Sequence, residues 1–128
     1  MPVEPDDLLE LAKKLSEDNQ EVSQRCAVSR AYYAAYHKCR LVGNTLPEPP
    51  YDSKPQGSHD TLIKKFTTQR NLKLKSIGFI LKEARDIRMK ADYDIDESFG
   101  PLEVKDAFDL INKIYAKLQL INDSANTE

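Results

Sequence analysis

The 128-residue chain is short of the residues from which most catalytic templates are built. It has only four glycines, which excludes a Gly-rich phosphate cradle, and it contains no Walker lysine loop, no dinucleotide fingerprint and no Gly-x-Ser-x-Gly. Its two cysteines and two histidines show no Cys-x-x-Cys, His-x-x-x-His or His-Glu-x-x-His spacing, so no metal site is expected. Cys26 and Cys39 fall on one predicted helix, where a rise of 1.5 Å per residue separates them by roughly 20 Å, beyond disulfide reach. Both read as small core residues. No period-2 alternation and no Asn-Gly or Asp-Gly turn argues for a strand. No apolar run approaches a membrane span. The acidic start, Met1 to Asp7, lacks the apolar stretch of a secretory leader, and a cytoplasmic setting is expected.

What is present is helical periodicity, with apolar residues recurring at three and four. A first helix is predicted from Asp6 to Glu17, with Pro5 suited to its start and Leu8, Leu11, Ala12 and Leu15 as its buried stripe. A second runs from Glu21 to Val42 and stops near Gly43, with Val22, Cys26, Ser29, Tyr33 and Tyr36 on its inner face. The stretch 44–57 holds Pro47, Pro49, Pro50 and Pro55 and reads as a loop. Ser58 is placed to cap a short helix from Asp60 to Thr67. A further long helix is predicted from Leu74 to Asp94, with Leu74, Ile77, Leu81, Ala84, Arg88 and Ala91 on one face. Pro101 opens the last, whose seam is Leu102, Ala107, Phe108, Ile111, Ile114, Tyr115, Leu118 and Ile121. The tail from Asn122 to Glu128 reads as frayed. The expected architecture is all-α, one domain over residues 1–128, an antiparallel four-helix up-and-down bundle with one short extra helix.

Charge is unevenly spread although the net is only −2. Residues 1–21 carry two lysines against seven acids, and residues 92–128 carry three basic against nine acidic side chains. Residues 61–91 carry nine basic side chains against Glu83 and Asp86. Such a basic middle suits an anion such as RNA phosphate; it equally suits a solvated face balanced by acidic neighbours.

Charged groups rarely face a core unless they are paired or used. Arg30 and His37 differ by only about 20° in direction on the second helix and flank Tyr33. Arg88 lies on the apolar stripe of the later helix, one turn before Asp92, within pairing range. Two readings stand side by side. In one, these groups are structural: Arg30 or Arg88 pairs with Asp92, and His37 bonds a backbone carbonyl. In the other, guanidinium groups hold a phosphate and an imidazole moves a proton. The tyrosines at 32, 33, 36, 93 and 115 read as bundle packing with hydroxyls at the rim, with base stacking as the alternative. His59 reads as a surface or capping residue, with a site role as the alternative.

Taken in order, the segments Ser29-Arg30-Ala31-Tyr32-Tyr33-Ala34-Ala35-Tyr36-His37, Ser58-His59, Phe66 and Arg85-Asp86-Ile87-Arg88-Met89-Lys90-Ala91-Asp92-Tyr93-Asp94, followed by a final amphipathic helix, resemble the HEPN superfamily of small all-α domains. The resemblance spans about residues 6–122. It implies RNA-linked biology: many HEPN proteins are metal-independent endoribonucleases of toxin–antitoxin, CRISPR or phage-defence systems, usually homodimers, and others pair with a minimal nucleotidyltransferase. In such nucleases an arginine and a histidine on the later helix, four to six residues apart, assist attack of the RNA 2′-hydroxyl on the adjacent phosphate. Arg88 fits the arginine, but Tyr93 stands where the histidine is expected, and tyrosine is a poor base near neutral pH. The resemblance therefore implies Arg88 and Arg30 as phosphate binders, His37 as acid or base, Asp92 as orienter and Tyr93 as a hydroxyl donor. Lys82, Arg85, Tyr33 and His59 are the RNA-contact candidates, and no cofactor is implied. His37 supplies the missing imidazole only if it shares a cleft with Arg88. The alternative is a noncatalytic interaction or nucleotide-binding module.

Overall fold

Prolines, glycines and apolar periodicity divide the described residues into five helices. The computed structural model describes residues 3–48 and 57–126, with side chains as far as residue 122. The helices are α1 (Pro5–Ser16), α2 (Glu21–Gly43), α3 (Ser58–Thr67), α4 (Leu72–Tyr93) and α5 (Pro101–Asn126), and the described residues contain no strand. The structure is thus all-α. None of these helices is long and apolar enough to cross a membrane. Most of the proline-rich stretch, residues 49–56, lies outside the described residues.

Helix ends follow local chemistry. The Glu4 backbone N–H donates to Asp7 Oδ2 at 2.9 Å ahead of α1. Asn71 Oδ1 accepts from the Lys73 and Leu74 N–H groups at 2.8 and 3.3 Å, capping α4. Gly100 N–H donates to Glu103 Oε2 at 2.9 Å as Pro101 opens α5. Two ends differ from expectation. Ser58 is the first residue of α3 rather than its cap, because Gly57 takes that position with φ of 97°, a conformation a side chain resists. Helix α5 continues through the expected frayed tail to Asn126.

Helix α2 packs against all four others. Its inner seam is Ala27, Ala31, Ala34 and Ala35, all fully buried, and such small side chains admit neighbouring helices closely. Around the seam lie Tyr32, Phe66, Ile77, Leu81, Ile111 and Ile114, each essentially inaccessible. Burying an aliphatic or aromatic side chain of this size contributes roughly 1.5–3 kcal/mol. Two residues of the expected α2 stripe face outward, Val22 at 62% exposed and Cys26 also exposed, while Ser29 and Tyr36 are buried and Tyr33 packs partly buried against the core. The remaining cysteine, Cys39, is buried, and burial pushes its thiol up to about 12. On α1 the buried pair is Leu9 and Ala12, and Leu11 is exposed; on α5 Leu102 is exposed, while Ile111, Ile114 and Leu118 are core.

The α3–α4 contact is tight at Gly78. A Cβ there would lie 2.6 Å from Thr67 Cγ2, 2.8 Å from Phe66 Cβ and 2.8 Å from the Thr67 backbone nitrogen. Gly78→Ala should therefore destabilise the protein by about 1–3 kcal/mol despite alanine's better helix propensity. At Gly43 the nearest obstacle is the flexible tip of Leu62, so Gly43→Ala should cost less. Urea denaturation of both variants is the check; a Gly78→Ala protein more stable than wild type would contradict this packing.

Candidate functional site

The seam that buries the alanines of α2 turns its neighbouring face, with Ser29, Tyr32, Tyr33 and Tyr36, toward α3 and α4. Arg88 of α4 reaches into that face. Its Nε lies 2.8 Å from Asp92 Oδ2 and one NH2 donates to Tyr33 Oη at 2.7 Å. The Nε–carboxylate contact is a charge contact without hydrogen-bond alignment. Ser29 Oγ donates to the same Asp92 oxygen at 3.3 Å, joining α2 to α4. The Arg88 guanidinium also lies 5.0 Å from the Tyr33 ring centre and 5.7 Å from those of Tyr32 and Tyr93. A cation only 11% exposed is thus held by one carboxylate, one hydroxyl and three aromatic faces.

His59, from the first turn of α3, completes this cluster. Its Nδ1 is 2.8 Å from Tyr32 Oη, and its ring centre is 4.4 Å from that of Tyr36. Partial burial, Arg88, Arg85 and His37 together hold its pKa below the ordinary histidine value, in that order of effect. Burial of Tyr32 raises its hydroxyl well above the usual phenol range, against the pull of Arg85 and Arg88, so it stays protonated. His37 lies one step outward, its ring 5.2 Å from Tyr36 and 6.3 Å from Tyr33; burial first and then Arg40 lower its pKa.

The other expected residues fall into place as follows. Arg30 stacks on Tyr33 at 5.4 Å and forms no ion pair with any described acid; Asp92 is taken by Arg88. Arg85 is half-buried on α4, its charge pulls the pKa values of Tyr32 and His59 down, and its buried Nε has no hydrogen-bond partner among the described residues. Tyr93 is 66% exposed and contributes its ring to Arg88. Lys82 is exposed and touches none of these groups. The cluster therefore gathers Arg88, Asp92, Tyr33, His59 and Arg85, with Arg30 and His37 at its edge. His59 is not the surface cap its position beside the prolines suggested.

Two surface clefts adjoin the cluster. One, of about 430 Å³, runs between α1 and α2 past Leu8, His37, Arg40 and Asn44. The other, of about 530 Å³, lies between the end of α2 and α3 and is walled by Tyr36, Arg40, Asn44, Ser58, Thr61 and Lys65. Among the described residues, no three His, Cys, Asp or Glu side chains gather as metal ligands.

One residue escaped the sequence reading. Arg25, 8% exposed, donates from NH1 to the carbonyl oxygens of Lys90 and Ala91 at 3.2 and 3.0 Å, and from NH2 to those of Asp94, at 3.2 Å, and Glu97. Its guanidinium lies 5.2 Å from the Phe99 ring, and Glu21 sits 3.6 Å from its Nε. It closes the C-terminal end of α4, where free carbonyls and the helix dipole favour a cation. The available signal was the inward spacing Arg25, Ser29, Tyr32, Tyr36.

No family model matches the chain. No curated protein and no solved structure matches it either.

Proposed function

We propose that the protein is a HEPN-like domain acting on RNA, a metal-independent endoribonuclease of a cytoplasmic defence or toxin–antitoxin system. The observation that carries the reading is that His59 and Arg88 share Tyr32 and Tyr33 as neighbours: His59 Nδ1 lies 2.8 Å from Tyr32 Oη and its ring 5.9 Å from that of Tyr33, while the Arg88 guanidinium lies 5.7 and 5.0 Å from the same two rings, so an imidazole is supplied near the arginine where Tyr93 supplies none. The resemblance of the α2 and α4 segments to HEPN proteins supports the RNA setting, the homodimer and the up-and-down bundle.

In this reading Arg88 and Arg85 hold the scissile phosphate, two guanidinium groups matching its oxygens. Neutral His59 takes the proton of the RNA 2′-hydroxyl. The 2′-oxygen bonds to phosphorus, the bond to the 5′-oxygen breaks, and that oxygen leaves with a proton from His37, yielding a 2′,3′-cyclic phosphate. A bound phosphate next to His37 would offset Arg40 and favour its charged form. Asp92 orients Arg88, and Tyr32 orients the His59 ring.

The sign of the pH dependence follows from the lowered histidine values. A base whose pKa lies below 6.5 remains neutral on the acid side of an ordinary histidine. Cleavage of a mixed RNA pool in EDTA should thus persist below pH 6.5, and His59→Ala should remove it. The same shift makes stability rise with pH between the folded-state pKa and the unfolded value, because there the unfolded chain binds more protons. Wild-type protein that leaves varied RNAs intact across pH 5–8 would sink the nuclease.

A specific observation favours a second reading. Arg88 already has Asp92, Tyr33 and three rings as partners, and neither neighbouring cleft is lined by it. An arginine so engaged suits a noncatalytic module that binds a partner such as a nucleotidyltransferase. Copurification with a partner, alongside inert RNA, would favour it.

A further inference from the structure

We propose that the cleft between the end of α2 and α3 is a binding subsite for single-stranded RNA, taking the nucleotide next to the one held at Arg88 and His59. The inference rests on the RNA reading above and adds the substrate form and the residues that hold its flank. Three features of the cleft argue for it. Its volume of about 530 Å³ is of the size that holds a small organic ligand. Its walls are chemically mixed in the way a nucleotide requires. Arg40 and Lys65 supply two cations, Ser58 supplies a hydroxyl, Asn44 supplies an amide able to both donate and accept, and the largely buried Tyr36 forms the inner wall, while the Thr61 hydroxyl donates to the Gly57 carbonyl at 2.8 Å and is left as an acceptor. Its position is continuous with the cluster, because Tyr36 lines the cleft while its ring lies 4.4 Å from His59 and 5.2 Å from His37.

The cations differ in readiness. Arg40 is exposed and forms no ion pair with any described acid. It lies close enough to His37 to lower that residue's pKa, so it bridges the two adjacent clefts. Lys65 is 14% exposed and has Glu48 at 3.3 Å; Glu48 itself is 78% exposed. An ion pair with one member that open to water is weak, so an incoming phosphate can displace the Glu48 carboxylate from Lys65. Double-stranded RNA does not suit the cleft, because a paired base has its edge occupied and its faces stacked.

The test uses 2′-O-methyl RNA hexamers, which bind but lack the attacking hydroxyl, read by fluorescence anisotropy on the full chain. Wild type should bind the single-stranded hexamer more tightly than the same hexamer annealed to its complement. Arg40→Ala combined with Lys65→Gln should weaken binding at least about tenfold, and reduce the slope of log K against log salt by about 0.7 for each phosphate contact removed. Glu48→Gln should tighten binding about two- to threefold by freeing Lys65. Because that variant gains affinity, its effect cannot come from misfolding. Unchanged affinity in the double variant, or no hexamer binding by wild type, overturns the subsite. Hexamer binding that depends on Arg40 and Lys65, in a protein that cleaves no RNA, retains the subsite and removes the nuclease. Cleavage with an indifferent double variant does the reverse.

Discussion

Arg25→Ala is expected to lower stability by about 3 kcal/mol, the largest effect of any single side chain outside the apolar core. The alanine variant strands the carbonyls of Ala91 and Glu97, leaves those of Lys90 and Asp94 with only the backbone N–H groups of Asp94 and Glu97, and leaves Glu21 without its cation. Glu21 also accepts the Phe99 backbone N–H at 2.8 Å, so the connection from α4 to α5 loses part of its anchor as well. Thermal denaturation should show a midpoint lowered by roughly 10 °C. Arg25→Lys should recover only part of this, since an ammonium cannot spread its donors over four carbonyls as a planar fork does. A midpoint within about 2 °C of wild type in Arg25→Ala would show that these bonds do not hold the helix end.

Arg88→Ala is expected to reduce RNA cleavage by at least about a hundredfold, as loss of a positioned cation at a phosphate commonly does. The same substitution removes the partner of a part-buried carboxylate and of the Tyr33 hydroxyl, so some stability goes with it, about 1–3 kcal/mol. The two roles separate in Asp92→Asn. The amide still accepts from Ser29 and leaves Arg88 charged, so cleavage should fall far less than in Arg88→Ala. Single-turnover rates at saturating RNA, compared with urea midpoints for both variants, make the distinction. Arg88→Ala cleaving at the wild-type rate would remove Arg88 from the active site and leave it as a structural residue.

The helix boundaries were legible because punctuation and periodicity agree: Pro5, Gly43, Gly57 and Pro101 fall at or beside ends. The Arg88–Asp92 pair was equally legible, since four residues on a helix is one turn and opposite charges there meet. Its partners on α2 were legible in part: Ser29 and Tyr33 belong to the predicted inner stripe and do meet Asp92 and Arg88, whereas Arg30, which shares its direction with His37, remains at the edge because the alanine seam fixes the rotation of α2. Alanine is weak in any hydrophobic ranking, so Val22 and Cys26 outweighed it in the sequence. In the fold the small residues win because helices approach where side chains are short. His59 could not be placed from sequence, because its neighbours come from α2 and α4 at long sequence separation.

That alanine seam has a bearing on how the chain survives its own synthesis. Helix α2 emerges before α3, α4 and α5, the helices that cover its far side, have been made. A seam of leucines or phenylalanines would spend that interval as a sticky strip open to other nascent chains. Four methyl groups offer passing hydrophobes little to grip, so this strip of the helix is less adhesive while it waits than a seam of large side chains would be.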